Sequence, residues 1–281
     1  MLHTKELGLV IVQAEEAGRQ AGRQGGENED AKRRHCLIEF SQLFQPFLAF
    51  PSFISTSMAG TIILTGANGS VAMHTAEQLL KAHPDFTFIF TVRDAAETDP
   101  NTQNLRQVIA RYPDSKVSIH QVDQSSLTVV HEFASKTSAA IAAGEYPRLQ
   151  SIICNASYWN LVGDSELTVD GYDKTLQVNH ISHVALVLRL IGSFAKDGRI
   201  VLLSSIGHYR KPNAMTSHLP EIPDDMERLN HPPSDKDKQG RGFQRYGSSK
   251  LVITTWMYPL NRYLQQVSLV SRYMILRHTV K

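Results

Sequence analysis

Short unbroken runs of β-branched and aromatic residues recur along the chain. Each gives way to a stretch in which apolar residues return every three or four positions. The runs are 62–64 (Ile-Ile-Leu), 86–92 (FTFIFTV), 116–122 (KVSIHQV), 149–154 (LQSIIC) and 199–203 (RIVLL). Runs with little polar alternation predict strands buried on both faces. The helical stretches open at Val71, cover 105–111, 127–143 and 172–191, and open again at Tyr246. This alternation predicts an α/β fold, a doubly wound parallel sheet with helices on both faces. In such a sheet ligands bind outside the carboxyl ends of the strands, where strand order reverses. The residues just after each strand therefore carry the functional information.

Residues 1–57 stand outside this alternation. The stretch 14–32 is rich in Glu, Gln, Arg and Gly without an apolar period, which predicts disorder. The stretch 37–54 is apolar and aromatic, but Glu39, Pro46 and Pro51 make it a poor membrane span. Glu6, Glu15, Glu16, Glu27, Glu29 and Asp30 are unlike a mitochondrial presequence, which avoids acids. Residues 1–57 are expected to form a disordered extension. The domain is expected over 58–281, opening at Met58 with MAGTIILTG. Inside it, the Pro-rich stretch 211–240 has the length of a lid, a binding loop or a disordered segment.

After the first strand, Thr65-Gly66-Ala67-Asn68-Gly69-Ser70-Val71 crowds small residues ahead of a helix. Backbone N–H groups and the positive end of a helix dipole make a phosphate cradle there. The same residues would also serve plain packing of helix on sheet. Arg93 follows the second strand. An acid at that place would grip a free ribose 2′-hydroxyl, whereas Arg pairs with a 2′-phosphate, so Arg93 favours NADP over NAD. Asp123 follows the third strand and reads as an adenine contact, an N-cap of the next helix, or both. Asn155-Ala156-Ser157 follows the fourth and offers small and amide groups to a cofactor. Cys154, within the apolar run, reads as core filler rather than a nucleophile. Ser204 and Ser205 end the fifth strand, where hydroxyls can also simply satisfy backbone groups.

Tyr246 and Lys250 stand at i and i+4 of the last helix, on one face. An ammonium beside a phenol favours the phenolate. The pair can therefore pass a proton to a carbonyl oxygen or take one from an alcohol. A chance Tyr-x-x-x-Lys on a helix surface does nothing; its place after a nucleotide-binding sheet argues against chance.

Composition narrows the reading. A chain of 281 residues suits one large α/β domain with an appendage. A formal charge of +2 with no basic stripe disfavours nucleic acid. The only two cysteines, Cys36 and Cys154, lie far apart and fit a reducing, cytoplasmic compartment. Twelve histidines show no HExxH spacing, so no catalytic metal is expected.

Together, TGANGSVA at 65–72, the Asp of VDQSS, CNAS at 154–157, VNHISH at 178–183, RIVLLSS at 199–205 and YGSSK at 246–250 resemble the short-chain dehydrogenase/reductase family. GRGFQRYGSSKL and the insertion before it resemble fungal members, and the branch of retinol dehydrogenases and protochlorophyllide reductases. The resemblance implies a Rossmann-type fold and NADP-dependent chemistry. It implies Tyr246 as acid/base, Lys250 also on the nicotinamide ribose, Ser205 on the substrate oxygen and Asn179 in a proton relay. It puts the cofactor on Gly66, Asn68, Ser70, Val71, Arg93, Asp123, Asn155, Tyr246 and Lys250.

The chain departs from the family pattern at Ser70 and Ala72, where glycines are usual, and at Ser157, where NAG is customary. It also lacks a Pro-Gly after the last helix. The tail SLVSRYMILRHTVK therefore reads as truncated, and the C-terminal strands of the family are expected to be missing. Two functional classes follow. One is an NADP-dependent oxidoreductase for a small lipophilic carbonyl or alcohol, of the kind secondary metabolism handles. The other is a non-catalytic NADP-binding relative, acting as a sensor or partner protein. The complete set Asn179, Ser205, Tyr246 and Lys250 favours the first. No firm membrane association is expected, and a homo-oligomer stays open.

Overall fold

Each of the five apolar runs forms a parallel strand in the computed structural model, which describes residues 8–14, 60–210, 217–234, 236–266 and 273–275. The main elements are β1 (Gly8–Ala14), β2 (Thr61–Thr65), α1 (Ser70–Ala82), β3 (Thr87–Val92), α2 (Pro100–Ala110), β4 (Lys116–Gln121) and α3 (Leu127–Ala142). After β5 (Leu149–Cys154) comes α4, one continuous helix made of Lys174–Leu176, a π turn at Gln177–Ile181 and Ser182–Leu190. Then follow β6 (Phe194–Ser205), a short α5 (Glu227–Asn230), α6 (Lys238–Gln266) and β7 (Tyr273–Ile275). Among the described residues no helix is long and apolar enough to cross a membrane.

The sheet runs β4-β3-β2-β5-β6-β1-β7, parallel throughout. Successive side chains on a strand point to opposite faces, and both faces are buried. Ile62 and Leu64 pack with Phe88 and Phe90 against Ala72, Ala76 and Leu79 of α1. Ile63 and Ile89 pack on the other side with Val130 of α3, Leu186 of α4 and Ile253 of α6. Burial is worth about 1.5–3 kcal/mol per large apolar side chain, so these two layers fix where the strand ends lie. Strand order reverses between β2 and β5, and the cleft opens at their carboxyl ends.

The structure departs from the sequence expectations at several elements. Helix α6 begins at Lys238, so Tyr246 lies well inside it rather than at its start. Gly240 and Gly242, poor helix formers, concealed this opening. Gly242 is needed there because a Cβ would come within 2.6 Å of the Leu161 backbone. Strand β6 begins at Phe194, earlier than the apolar run at 199. Gly8–Ala14 lies in the segment expected to be a disordered extension, yet it forms β1. It pairs with β6 from Gly8↔Arg199 to Ala14↔Ser205, and with β7 on its other side. Beyond β6 the sheet continues with β1 and β7. The apolar stretch 37–54, Cys36, Met58 and residues 211–216 of the long loop lie outside the described residues.

Candidate active site

The turn after β2 is shaped by what a side chain would strike. Gly66 has φ of 63°, and a Cβ there would come 2.9 Å from the Ala156 Cα. Only glycine fits such a left-handed, close-packed position. The N-cap of α1 is Gly69, and no side chain caps the helix. Its first N–H groups and the positive end of its dipole therefore face the cleft, an arrangement that suits an anion. Asn68 ties the turn sideways, its Nδ2 donating to Thr102 Oγ1 at 3.0 Å and to Asp99 Oδ2 at 3.4 Å. Asp99 caps α2 by accepting from Thr102 N at 2.7 Å. That bond holds its carboxyl below the ordinary carboxylate range, and the Arg93 charge adds to it.

At the end of β5, the N–H groups of Asn155 and Ala156 both donate to Thr65 Oγ1 at 2.9 Å. Asn155 Nδ2 donates to the Thr65 and Gly66 carbonyls at 3.0 and 3.2 Å. Its amide thus clamps the phosphate turn to the neighbouring strand. Asn179 lies in the π turn of α4, a distortion frequent at functional sites. Its Oδ1 accepts from Ser157 Oγ and Tyr158 N, and its Nδ2 donates to the Tyr158 carbonyl and Ser249 Oγ. The buried Asn179 amide is therefore committed to the 157–158 loop and to α6.

Tyr246 is 7% exposed and Lys250 3%. Lys250 Nζ donates to the Leu203 carbonyl at 3.2 Å, which pins the ammonium to the end of β6. Ser205 Oγ accepts from Gly207 N at 3.1 Å. A Cβ on Gly207 would lie 3.4 Å from that oxygen and 3.6 Å from Tyr246 Cδ1, so Gly207 lets Ser205 and the Tyr246 ring approach each other. Ser204, by contrast, bonds to Thr254 Oγ1 at 2.8 Å and to the Lys250 carbonyl at 3.3 Å, holding β6 to α6.

A single cavity of about 410 Å3 is lined by Gly66, Asn68, Ser70, Val71, Arg93, Asp123, Asn155, Tyr246 and Lys250. That volume is in the range of small-molecule sites. Asn179 and Ser205 do not line it; they support its wall from behind. Asp123 is not the N-cap of α3. Its Oδ1 accepts from Ser125 N and Oγ at 2.8 and 2.7 Å, while Ser126 caps the helix by accepting from Val129 N. The shorter reach of a local Asx turn wins over the cap. Burial pushes the Cys154 thiol well up, away from the reactive thiolate. Among the described residues no group of three or more His, Cys, Asp or Glu could hold a metal.

Sequence reasoning missed Trp159. Its ring lies 5.7 Å from that of Tyr246, centroid to centroid, and it is 46% exposed. The loop carrying it is held firmly: Arg245 Nη2 donates to the Asn160 and Gly163 carbonyls at 3.0 and 2.6 Å. The signal available was the aromatic pair Tyr158-Trp159 directly after a predicted strand end.

A family model described as short chain dehydrogenase matches residues 60–217. The short-chain dehydrogenase iccH of Talaromyces variabilis is 32% identical over 167 residues, 56% of this chain and 44% of its own length. The short chain dehydrogenase macD of Penicillium terrestre is 27% identical over 208 residues, 71% of this chain and 60% of its own. The chain spans about half the length of the curated relatives it matches. Among solved structures, a metagenomic short-chain oxidoreductase in complex with NADP aligns with a TM-score of 0.54 at 18% identity, covering 77% of this chain and 80% of that one. A short chain dehydrogenase from Burkholderia cenocepacia in complex with NADP aligns at 0.54 with 20% identity, covering 77% and 72%. At these identities the structural likeness speaks for the fold.

Proposed function

The chain belongs to the short-chain dehydrogenase family of oxidoreductases, and from that premise we propose that it interconverts a carbonyl and an alcohol with NADP(H), using Tyr246 as acid/base. One observation carries this reading: Tyr246 and Lys250 line the same cavity as the uncapped end of α1 and Arg93. An anionic dinucleotide fits the donor set, with phosphates at Ser70 and Val71 and a 2′-phosphate at Arg93. The nicotinamide, when bound, supplies or accepts the hydride.

The chain's own residues handle the proton and the geometry. Tyr246 Oη holds the proton exchanged with the substrate oxygen, and Ser205, behind the cavity wall, holds Gly207 and so positions the Tyr246 ring. Lys250 steadies the phenolate and reaches the ribose. Asn179 keeps the 157–158 loop and α6 in register. The substrate is small and lipophilic, since the approach to Tyr246 is flanked by the apolar face of Trp159. The two cysteines and the carbonyl chemistry suit a reducing, cytoplasmic setting.

The test is NADPH and NADH binding by titration, followed by consumption of each with a panel of aliphatic and aromatic carbonyls. Tight NADPH binding with turnover on an apolar carbonyl supports the proposal. Binding without turnover on any of them assigns the chain to the non-catalytic relatives instead.

A further inference from the structure

Thr65 Oγ1 has four polar neighbours, and their chemistry fixes where the protons are. The N–H groups of Asn155 and Ala156 both point at it, each at 2.9 Å. A hydroxyl has two lone pairs and one proton, so these donors fill its acceptor capacity. His183 Nε2 lies 3.0 Å away and the Ile153 carbonyl 3.3 Å away. A proton on Nε2 would be a third donor with no lone pair left to meet it. Nε2 therefore carries no proton and, at the shorter distance, competes with the Ile153 carbonyl for the single Thr65 proton, while the imidazole proton sits on Nδ1, aimed at the Asn179 carbonyl 3.4 Å away. The ring is 1% exposed. Burial, helped by the Lys250 charge, pushes its pKa down to about 3, so it stays neutral.

These contacts join three parts of the site. Thr65 precedes Gly66 of the phosphate turn, Asn155 and Ala156 end β5, and Asn179 holds the 157–158 loop and Ser249 of α6. We propose that His183 is a positioning residue for the nicotinamide half of the cavity: as the neutral Nδ1–H tautomer it turns the Thr65 hydroxyl toward the Asn155 and Ala156 amides and holds the Asn179 carbonyl. In this way it sets the spacing between the dinucleotide turn and the helix that carries Tyr246. The inference rests on the NADP(H) reading of the cavity.

Three substitutions separate the two bonds. His183→Gln keeps an acceptor within reach of Thr65, His183→Asn keeps a donor near the Asn179 carbonyl, and His183→Leu fills space with neither. NADPH affinity, melting temperature, kcat and KM are measured on the full chain. His183→Leu is expected to weaken NADPH binding and lower kcat by about tenfold each, the effect of leaving buried polar groups unpaired. His183→Gln should retain near-native NADPH affinity, and the carbonyl KM should barely move in either. Combining Thr65→Val with His183→Leu should cost less than the sum of the two single changes, because both remove the shared Thr65–His183 bond.

A role in packing alone gives the opposite ranking, with Leu equal to or better than Gln, and additive effects in the double variant. Either result overturns the proposal. If His183→Leu does not fold, His183→Asn binding NADPH as well as His183→Gln does so too. A wild-type chain that binds no NADPH sinks the cofactor reading instead. The non-additivity of melting temperatures then still decides the Thr65–His183 bond.

Discussion

The ammonium nitrogen of Lys250 lies 5.7 Å from the centroid of the Tyr246 ring, one helical turn away on α6. Its other anchor is the Leu203 carbonyl at the end of β6, so strand and helix together aim the pair into the cleft. Tyr246→Phe keeps the ring and its contact with Trp159 but deletes the hydroxyl. Turnover is expected to fall by about 10²–10⁴-fold, with NADPH affinity largely preserved. Lys250→Ala should harm both, since it is assigned to phenol and ribose together. Steady-state rates and cofactor titrations on the two variants check this. A near-normal rate in Tyr246→Phe removes Tyr246 as the acid/base.

Arg93 lines the cavity beyond β3, with the carboxyl of Asp99 within electrostatic reach. Preference for NADPH over NADH is expected, on the order of ten- to a hundredfold from one charge-assisted contact. Arg93→Asp should erase or reverse it. Equal affinities of the wild-type chain for both cofactors would make Arg93 a solvated surface charge.

Trp159 offers a broad apolar face beside Tyr246 from a loop held by Arg245. Trp159→Ala is expected to raise KM for bulky apolar carbonyls by about tenfold, leaving small polar ones nearly unaffected. A uniform loss across the substrate panel would mean that the residue supports the loop rather than the substrate.

Acid should destabilise the fold through two buried histidines. Burial holds His180 at about 4 and His183 at about 3, against an ordinary 6.5. Below pH 6.5 the unfolded chain takes up protons that the folded state refuses. Stability is therefore undiminished above that pH and falls as pH drops, by about 1.4 kcal/mol per pH unit for each ring. The slope ends near pH 4 for His180 and near pH 3 for His183. Melting curves between pH 8 and pH 4.5 test this, and His183→Gln should show a shallower slope than the wild type. Identical slopes would show that His183 is not one of the groups responsible.

Strand β1 lies between β6 and β7, where a proline cannot donate to the ladder. Val12→Pro is expected to lower the melting temperature by about 5 °C or more, and Val12→Ile, which keeps the backbone N–H and the β-branch, to leave it nearly unchanged. Equal melting of the two variants would show that β1 contributes nothing to the stability of the sheet.

What was legible in the sequence was local. The runs at 86–92 and 149–154 announced strands because burial on both faces removes polar alternation. Thr65–Val71 and Tyr246–Lys250 could be read because their chemistry depends on neighbours one to five positions apart. What stayed hidden depends on distant partners. Gly8–Ala14 takes its identity as a strand from pairing with Arg199–Ser205, about 190 residues away. The role of Thr65 needed His183, and the start of α6 needed the Leu161 backbone against Gly242. The contact of Trp159 with Tyr246 exists only because α6 packs beside it.

The pairing of β1 with β6 has a consequence for synthesis. Strand β1 must wait for a partner about 190 residues further along the chain. At about 5–20 residues per second on the ribosome, that wait is roughly 10–40 s. Strands β2 to β5 can assemble during it, so β1 docks late. Meanwhile Leu9-Val10-Ile11-Val12 remains an uncharged, β-prone segment with both edges open, the kind that templates intermolecular pairing. Closing so long a loop adds little to its thermodynamic cost, which grows only with the logarithm of length. The exposure is one of time, and it falls on the nascent chain rather than on the finished fold.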